Sequence, residues 1–177
     1  MSKKLHKEKH MSWDTYFMSL AVLSSFRSKD PKTQNGACIV DTQQRVLAMG
    51  YNGLPKGLRD SEELFWSDED NDPLRSKHSY VVHAEANAIY NKNLADIRNS
   101  TLYVTCFPCR ECAKAIIQNG ISRVVFLWKK EHHEKINEVV ELMFESANVE
   151  YVPFKKLESE DEEYLEVLKE SGNKFYS

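Results

Sequence analysis

The longest unbroken apolar run in the sequence is Val124–Trp128, with a helical pattern on either side: Cys109–Asn119 before it and Glu131–Ala147 after it. Such a run is far shorter than the roughly 20 residues of a membrane span, but it suits a strand covered on both faces. A strand of that kind is reached and left by crossovers. The chain is therefore constrained to a layered α/β domain, with some parallel pairing and helices against the sheet. A length of 177 residues agrees with one ordinary domain, able to bury about 70% of its unfolded surface without staples.

The other segments complete the order. Ser12 is placed to cap a helix in which Trp13, Tyr16, Phe17, Leu20 and Ser24 share one face and Asp14 lies in the first turn. Ala37–Val40 and Val46–Met49, joined by the polar turn Asp41–Gln44, read as a hairpin. Val82–Lys92 is helical in pattern, Thr101–Thr105 and Val149–Val152 are strand-like, and Gly120 stops the helix that Pro108 introduces. Residues 1–10 and 155–177, the second acidic from Glu158 to Glu163, read as tails around a domain at 11–154. Between Asn52 and Tyr80 there is no period, only Pro55, Gly57, the acidic run Asp68–Asp72 and Pro73. Loops of that length tend to be binding loops, lids or disordered insertions.

Lysine plus arginine is 24 and aspartate plus glutamate 27, a net charge of −3. That balance excludes the basic footprint of a protein living on polymeric nucleic acid. The basic stretch Lys3–His10 leads into no apolar segment, so no secretory signal and no membrane partner are expected, and the cytoplasm is the expected location. Of four cysteines, Cys106, Cys109 and Cys112 are crowded together, which in an intracellular chain points to metal or catalysis before disulfides. Cys38, in an apolar strand, reads as core.

The chemistry gathers in His83-Ala84-Glu85 and Pro108-Cys109-Arg110-Glu111-Cys112, each opening a helix. Cys109 and Cys112, at i and i+3, place their sulfurs on one face of a first turn, where a helix N-terminus favours thiolate. With His83 they make three zinc-type ligands and leave a fourth position for water, the arrangement of a catalytic site. Glu85, not needed as a ligand, is then the acid/base. A closed structural site that adds Cys106 is the alternative within the same residues. An iron–sulfur run wants a further cysteine where Ile116 stands. His78, His132 and His133 read as ordinary surface histidines.

H-x-E with P-C-x-x-C is also the signature of the zinc nucleobase deaminases. The chain is similar to the deoxycytidylate (dCMP) deaminases of the cytidine/deoxycytidylate deaminase family in MSWDTYFM (11–18), RSKDPKTQNGACIV (27–40), GYNGLPKG (50–57), HAEANAI (83–89) and CFPCRECAKAIIQNGI (106–121). This resemblance implies a three-layer α/β/α sandwich of the cytidine-deaminase type, with a mixed sheet of about five strands. It also implies hydrolysis of dCMP to dUMP and ammonia, supplying dUMP for thymidylate synthesis, with catalytic zinc held by His83, Cys109 and Cys112. In that picture zinc-activated water adds to C4 of cytosine, and Glu85 protonates N3 and later helps the amine leave. Asn52 resembles the residue that contacts the deoxyribose hydroxyl, Ala84 N–H would meet the base carbonyl, and Arg27 with Ser28 stand where the family contacts phosphate. The family further implies a homohexamer, with dCTP (with Mg2+) and dTTP as effectors at a segment that carries Gly53, Lys56 and Arg59. Many relatives have a tyrosine soon after the strand matching Val124–Trp128, where this chain has Lys129-Lys130-Glu131-His132-His133. Other readings are a deaminase of the same fold acting on dCTP, cytidine or a tRNA adenosine, and a non-catalytic zinc or nucleotide-sensing module.

Overall fold

The computed structural model describes residues 10–69, 71–93, 96–130 and 133–154; apart from His10, the two expected tails lie outside them. The element order matches the sequence reading: α1 (Trp13–Ser25), β1 (Gly36–Val40), β2 (Val46–Tyr51), α2 (Ala84–Tyr90), β3 (Thr101–Cys106), α3 (Arg110–Gln118), β4 (Arg123–Trp128), α4 (Glu134–Ser146) and β5 (Glu150–Pro153). Where no period was found, three short 3-10 turns occur, at Glu63–Trp66, Pro73–Arg75 and Lys77–Ser79.

The sheet runs β2-β1-β3-β4-β5. β1 is antiparallel to both β2 and β3, whereas β3, β4 and β5 are mutually parallel and joined through α3 and α4. Alternation along each strand divides the core. Ala37, Ile39, Leu102, Val104, Val124 and Phe126 face α2, α3 and α4, while Cys38, Val40, Tyr103 and Val125 face α1. Helices thus cover both faces, and the chain forms a three-layer α/β/α sandwich.

The Ser12 side chain caps α1 by accepting from Thr15 N–H. α1 buries only part of the face shared by Trp13, Tyr16, Phe17, Leu20 and Ser24. Phe17, Met18, Ala21, Val22 and Ser25 are buried, whereas Trp13 and Tyr16 are 53% and 44% exposed. Apolar residues run almost all round this helix, so periodicity does not single out one stripe. Close approach decides instead. A Cβ at Gly36 would lie 1.9 Å from Ala21 O, so β1 presses on the small residues of α1. Gly50 plays the same part on the other face, where a Cβ would sit 2.3 Å from both Ala84 O and Ala88 N. That contact lets α2 lie directly on β2.

A catalytic cluster at the start of two helices

β3 ends at Cys106, and Phe107 anchors the corner beyond it. The Phe107 N–H donates to Trp128 O at 2.8 Å, and its ring packs edge-on against Phe126 with centroids 4.8 Å apart. The chain then turns through Pro108 into Cys109, the N-cap of α3, while His83 is the N-cap of α2. Neither is one of the oxygen-bearing residues that usually close a helix start. Both point at each other instead: His83 Nδ1 lies 3.4 Å from Cys109 Sγ and 3.5 Å from Cys112 Sγ. A tetrahedral zinc with Zn–N near 2.0–2.1 Å and Zn–S near 2.3 Å holds N and S about 3.6 Å apart. The three residues therefore fit a zinc ion, with Nδ1 as the ligand nitrogen. Cys106 is not a member of this cluster; its Sγ faces Phe107 O at 3.6 Å, which argues against the closed four-ligand site.

Protonation follows the same geometry. The Cys109 thiol falls to about 3, first because Cys112 donates to its sulfur and then because of His83. His83 rises to about 9 through its bond to that thiolate. Burial pushes the Cys106 thiol well above its ordinary range. Glu85, in the first turn of α2 and 5% exposed, has its carboxyl raised by burial. A buried acid next to three metal-type ligands is able to hold and release a proton near the fourth coordination position. Cys38 is core as expected, its thiol raised to about 12 by burial.

His83, Glu85, Cys106 and Cys109 form one side of a cavity of about 190 Å3. The other side was only partly visible in the sequence. Asn52 lies there, its Oδ1 accepting from Asn35 N–H at 2.7 Å and its Nδ2 donating to Thr33 O at 2.9 Å and Asp30 Oδ2 at 3.3 Å. Asp30 also accepts from Lys77 Nζ at 2.7 Å, and both side chains of this ion pair are almost fully buried. Asp30 and Lys77 were missed, because a buried pair 47 residues apart leaves no local pattern. Lys130, His133 and Asn137 also line the cavity.

Other expected site residues fall elsewhere. Arg27 is exposed and Ser28 buried, and neither lines the cavity. Ser28 Oγ accepts from Asp30 N–H, so it shapes the turn that carries Asp30. Ala84, fully buried, opens α2 beside the cavity, at a turn whose N–H groups have no partner inside the helix. Gly53 pairs with Val82 in an antiparallel bridge, and Lys56 and Arg59 are exposed away from the cavity lining. The acidic loop does not stand free: Lys29 pairs with Asp60, Lys32 with Asp68 and Arg75 with Glu69.

Three side chains able to hold zinc, a buried carboxylate beside them and a cavity at the carboxyl ends of parallel strands fit a metal-dependent hydrolytic site on an α/β/α sandwich. The family profile described as the cytidine and deoxycytidylate deaminase zinc-binding region matches residues 11–128. The chain belongs to the cytidine and deoxycytidylate deaminase family, as a zinc-binding deaminase domain. Among its relatives, the probable deoxycytidylate deaminase of Drosophila melanogaster is 47% identical over 165 residues, 88% of this chain and 80% of that protein. The deoxycytidylate deaminase of Mus musculus is 45% identical, over 84% of this chain and 83% of its own length. Among solved structures, the dCMP deaminase of cyanophage S-TIM5 in complex with dCMP and dUMP superposes with a TM-score of 0.64 at 27% identity, covering 81% of this chain and 99% of that one. Among the described residues, no helix is long and apolar enough to cross a membrane.

Proposed function

We propose that this chain hydrolyses dCMP to dUMP and ammonia in the cytoplasm, and so supplies dUMP for thymidylate synthesis. The observation that carries the reading is the His83, Cys109 and Cys112 cluster with buried Glu85 on one side of the cavity. The names of the relatives support dCMP as the substrate. When bound, zinc supplies Lewis-acid chemistry that lowers the pKa of water from about 15.7 to near 7. Glu85 takes the proton of the attacking water and delivers it to N3 of cytosine. A C4–O bond forms; Glu85 then takes the second proton from the new C4 hydroxyl and passes it to the C4 amino nitrogen, so that the C4–N bond breaks, a C4 carbonyl remains and ammonia leaves. Desolvation, which raises its carboxyl, keeps the proton within reach of both atoms.

In this reading the first N–H of α2, at Ala84, donates to the base carbonyl. Asn52 spends both amide hydrogens on Asp30 and Thr33, so it meets the free deoxyribose hydroxyl as an acceptor through the second lone pair of Oδ1. The same reading includes a homohexamer, with dCTP and Mg2+ or dTTP as effectors at the loop of Gly53, Lys56 and Arg59. What supports it is the Gly53–Val82 bridge, which ties that loop to the residue before His83.

An ultraviolet deamination assay on zinc-loaded protein with dCMP, CMP, dCTP and deoxycytidine, each with and without effectors, tests substrate and control together. Glu85→Gln is expected to keep zinc and fold while losing ammonia release. Full activity in that variant sinks the mechanism.

A further inference from the structure

Two asparagines on the cavity wall are joined by a pair of hydrogen bonds yet left in opposite states. Asn52 N–H donates to Asn35 O at 3.1 Å, and Asn35 N–H donates to Asn52 Oδ1 at 2.7 Å. Both residues line the cavity. The Asn52 amide has spent its two hydrogens on Thr33 O and Asp30 Oδ2, so towards a ligand it can only accept. The Asn35 amide is the reverse. Its Oδ1 accepts from Thr105 Oγ1 at 3.0 Å, and its Nδ2 has no acceptor among the described residues.

Thr105 decides which way the Asn35 amide is turned. Its Oγ1 accepts from Gly36 N–H at 3.1 Å and gives its single proton to Asn35 Oδ1, and the residue is 2% exposed. An amide turned over would leave that buried hydroxyl proton without an acceptor among its described partners. The backbone next to Asn35 is fixed as well, because Gly36 is pressed against Ala21 of α1. The register that pairs Ala37 with Val104 brings Asn35 level with Cys106, which ends β3 and also lines the cavity. Asn35 is thus half-buried, held between Asn52 on one side and the end of β3 on the other.

When a ligand displaces water from the cavity, an amide with unspent hydrogens is costly unless the ligand brings an acceptor. In the reading above, Glu85 serves N3 and the C4 amine of dCMP, and Ala84 N–H serves the base carbonyl. The free sugar hydroxyl is left with half its needs met. A hydroxyl gives one proton and receives on its lone pairs. Asn52 Oδ1 takes the proton, and the donor for the hydroxyl oxygen has to come from a second group.

We propose that Asn35 is a specificity-determining residue for the sugar: its Nδ2 donates to the oxygen of the free deoxyribose hydroxyl whose proton Asn52 Oδ1 accepts. The two asparagines then read one hydroxyl from both sides. The proposal rests on the reading of the chain as a cytosine nucleotide deaminase.

The test is the ratio of kcat/KM for dCMP to that for 2',3'-dideoxycytidine monophosphate, which lacks only that hydroxyl, in the zinc-loaded protein and in Asn35→Leu. The ratio is expected to fall about 10-fold in Asn35→Leu, the range for one neutral hydrogen bond, with kcat/KM for the dideoxy substrate nearly unchanged. Leucine keeps about the size of the amide, and zinc content with Tm checks that metal and fold survive. Where either is lost, Asn35→Asp decides instead, since it keeps the acceptor for Thr105 and removes the donor. An equal loss on both substrates makes Asn35 a structural or base-facing residue and overturns the proposal. So does an unchanged ratio, or an unmodified protein that treats the two substrates alike. If the unmodified protein releases no ammonia from dCMP, the functional reading fails. Calorimetry with dUMP and 2',3'-dideoxyuridine monophosphate then decides the present point separately: a weakening confined to dUMP in Asn35→Leu upholds it, and any other pattern, absence of binding included, rejects it.

Discussion

The two walls of the cavity are built in opposite ways. On the chemical wall, His83 and Glu85 are two residues apart and Cys109 and Cys112 three apart, each pair on the opening of one helix. Their mutual geometry is mostly set by the helical turn itself, and the fold only has to bring two helix starts together. On the recognition wall, Asn52 and Asp30 are 22 residues apart and Lys77 and Asp30 47 apart, none of them in a strand or an α-helix. That wall exists only once the loops at 27–35, 52–59 and 60–80 have been tied down. Reaction chemistry is therefore local, and substrate shape is a tertiary property.

If the chemical wall is autonomous, emptying it destroys activity and leaves the other wall standing. Cys109→Ser with Cys112→Ser is expected to lose nearly all bound zinc and all ammonia release, by metal analysis and assay, since both thiolate ligands go. Cys106→Ala is expected to keep one zinc per chain, because its sulfur faces Phe107 O and stands outside the cluster. Loss of zinc from Cys106→Ala breaks the comparison, since the metal site then depends on a residue that the two-helix geometry does not contain.

The recognition wall fails differently. Lys77→Met leaves the Asp30 carboxylate buried without its cation, and about 3–5 kcal/mol of stability is expected to go in urea unfolding. Asp30→Asn with Lys77→Met removes both charges and is expected to recover part of that loss. Zinc binding should remain in the single variant under native conditions. A cost below about 1 kcal/mol, the range of an exposed pair, shows that the wall does not rest on this contact.

Smaller again is the effect of Asn52→Ala. It strands Asn35 N–H and Thr33 O, so KM for dCMP and for deoxycytidine is expected to rise together by about 10-fold, with zinc unchanged. A change in kcat alone moves Asn52 to the chemical wall.

This contrast also explains what was legible in the sequence. The order of helices and strands along the chain was readable from apolar runs, helical periods and turn residues, because strands such as Ala37–Val40 and Val124–Trp128 lie between two covered faces. His83, Glu85, Cys109 and Cys112 were readable because their spacing is their geometry. The docked face of α1 was not, since Gly36 selects it through contact with Ala21. Asp30 and Lys77 were not, since each alone looks like a solvated charge, and the acidic loop hid that it delivers Lys77 to the interior.

Arg27→Ala separates sequence proximity from spatial proximity. Arg27 is three residues from Asp30 in the chain, yet it is exposed and outside the lining, so kcat/KM for dCMP is expected to change less than about two-fold. It follows α1, whose Trp13, Tyr16, Leu23 and Phe26 form an exposed apolar row. A loss of 10-fold or more confined to dCMP therefore has one structural source, a second copy of the chain whose α1 end reaches this cavity. That loss should then depend on protein concentration, because the arginine would be lent across an interface. Such a result redraws the recognition wall as a surface shared by two chains, while the chemical wall stays within one.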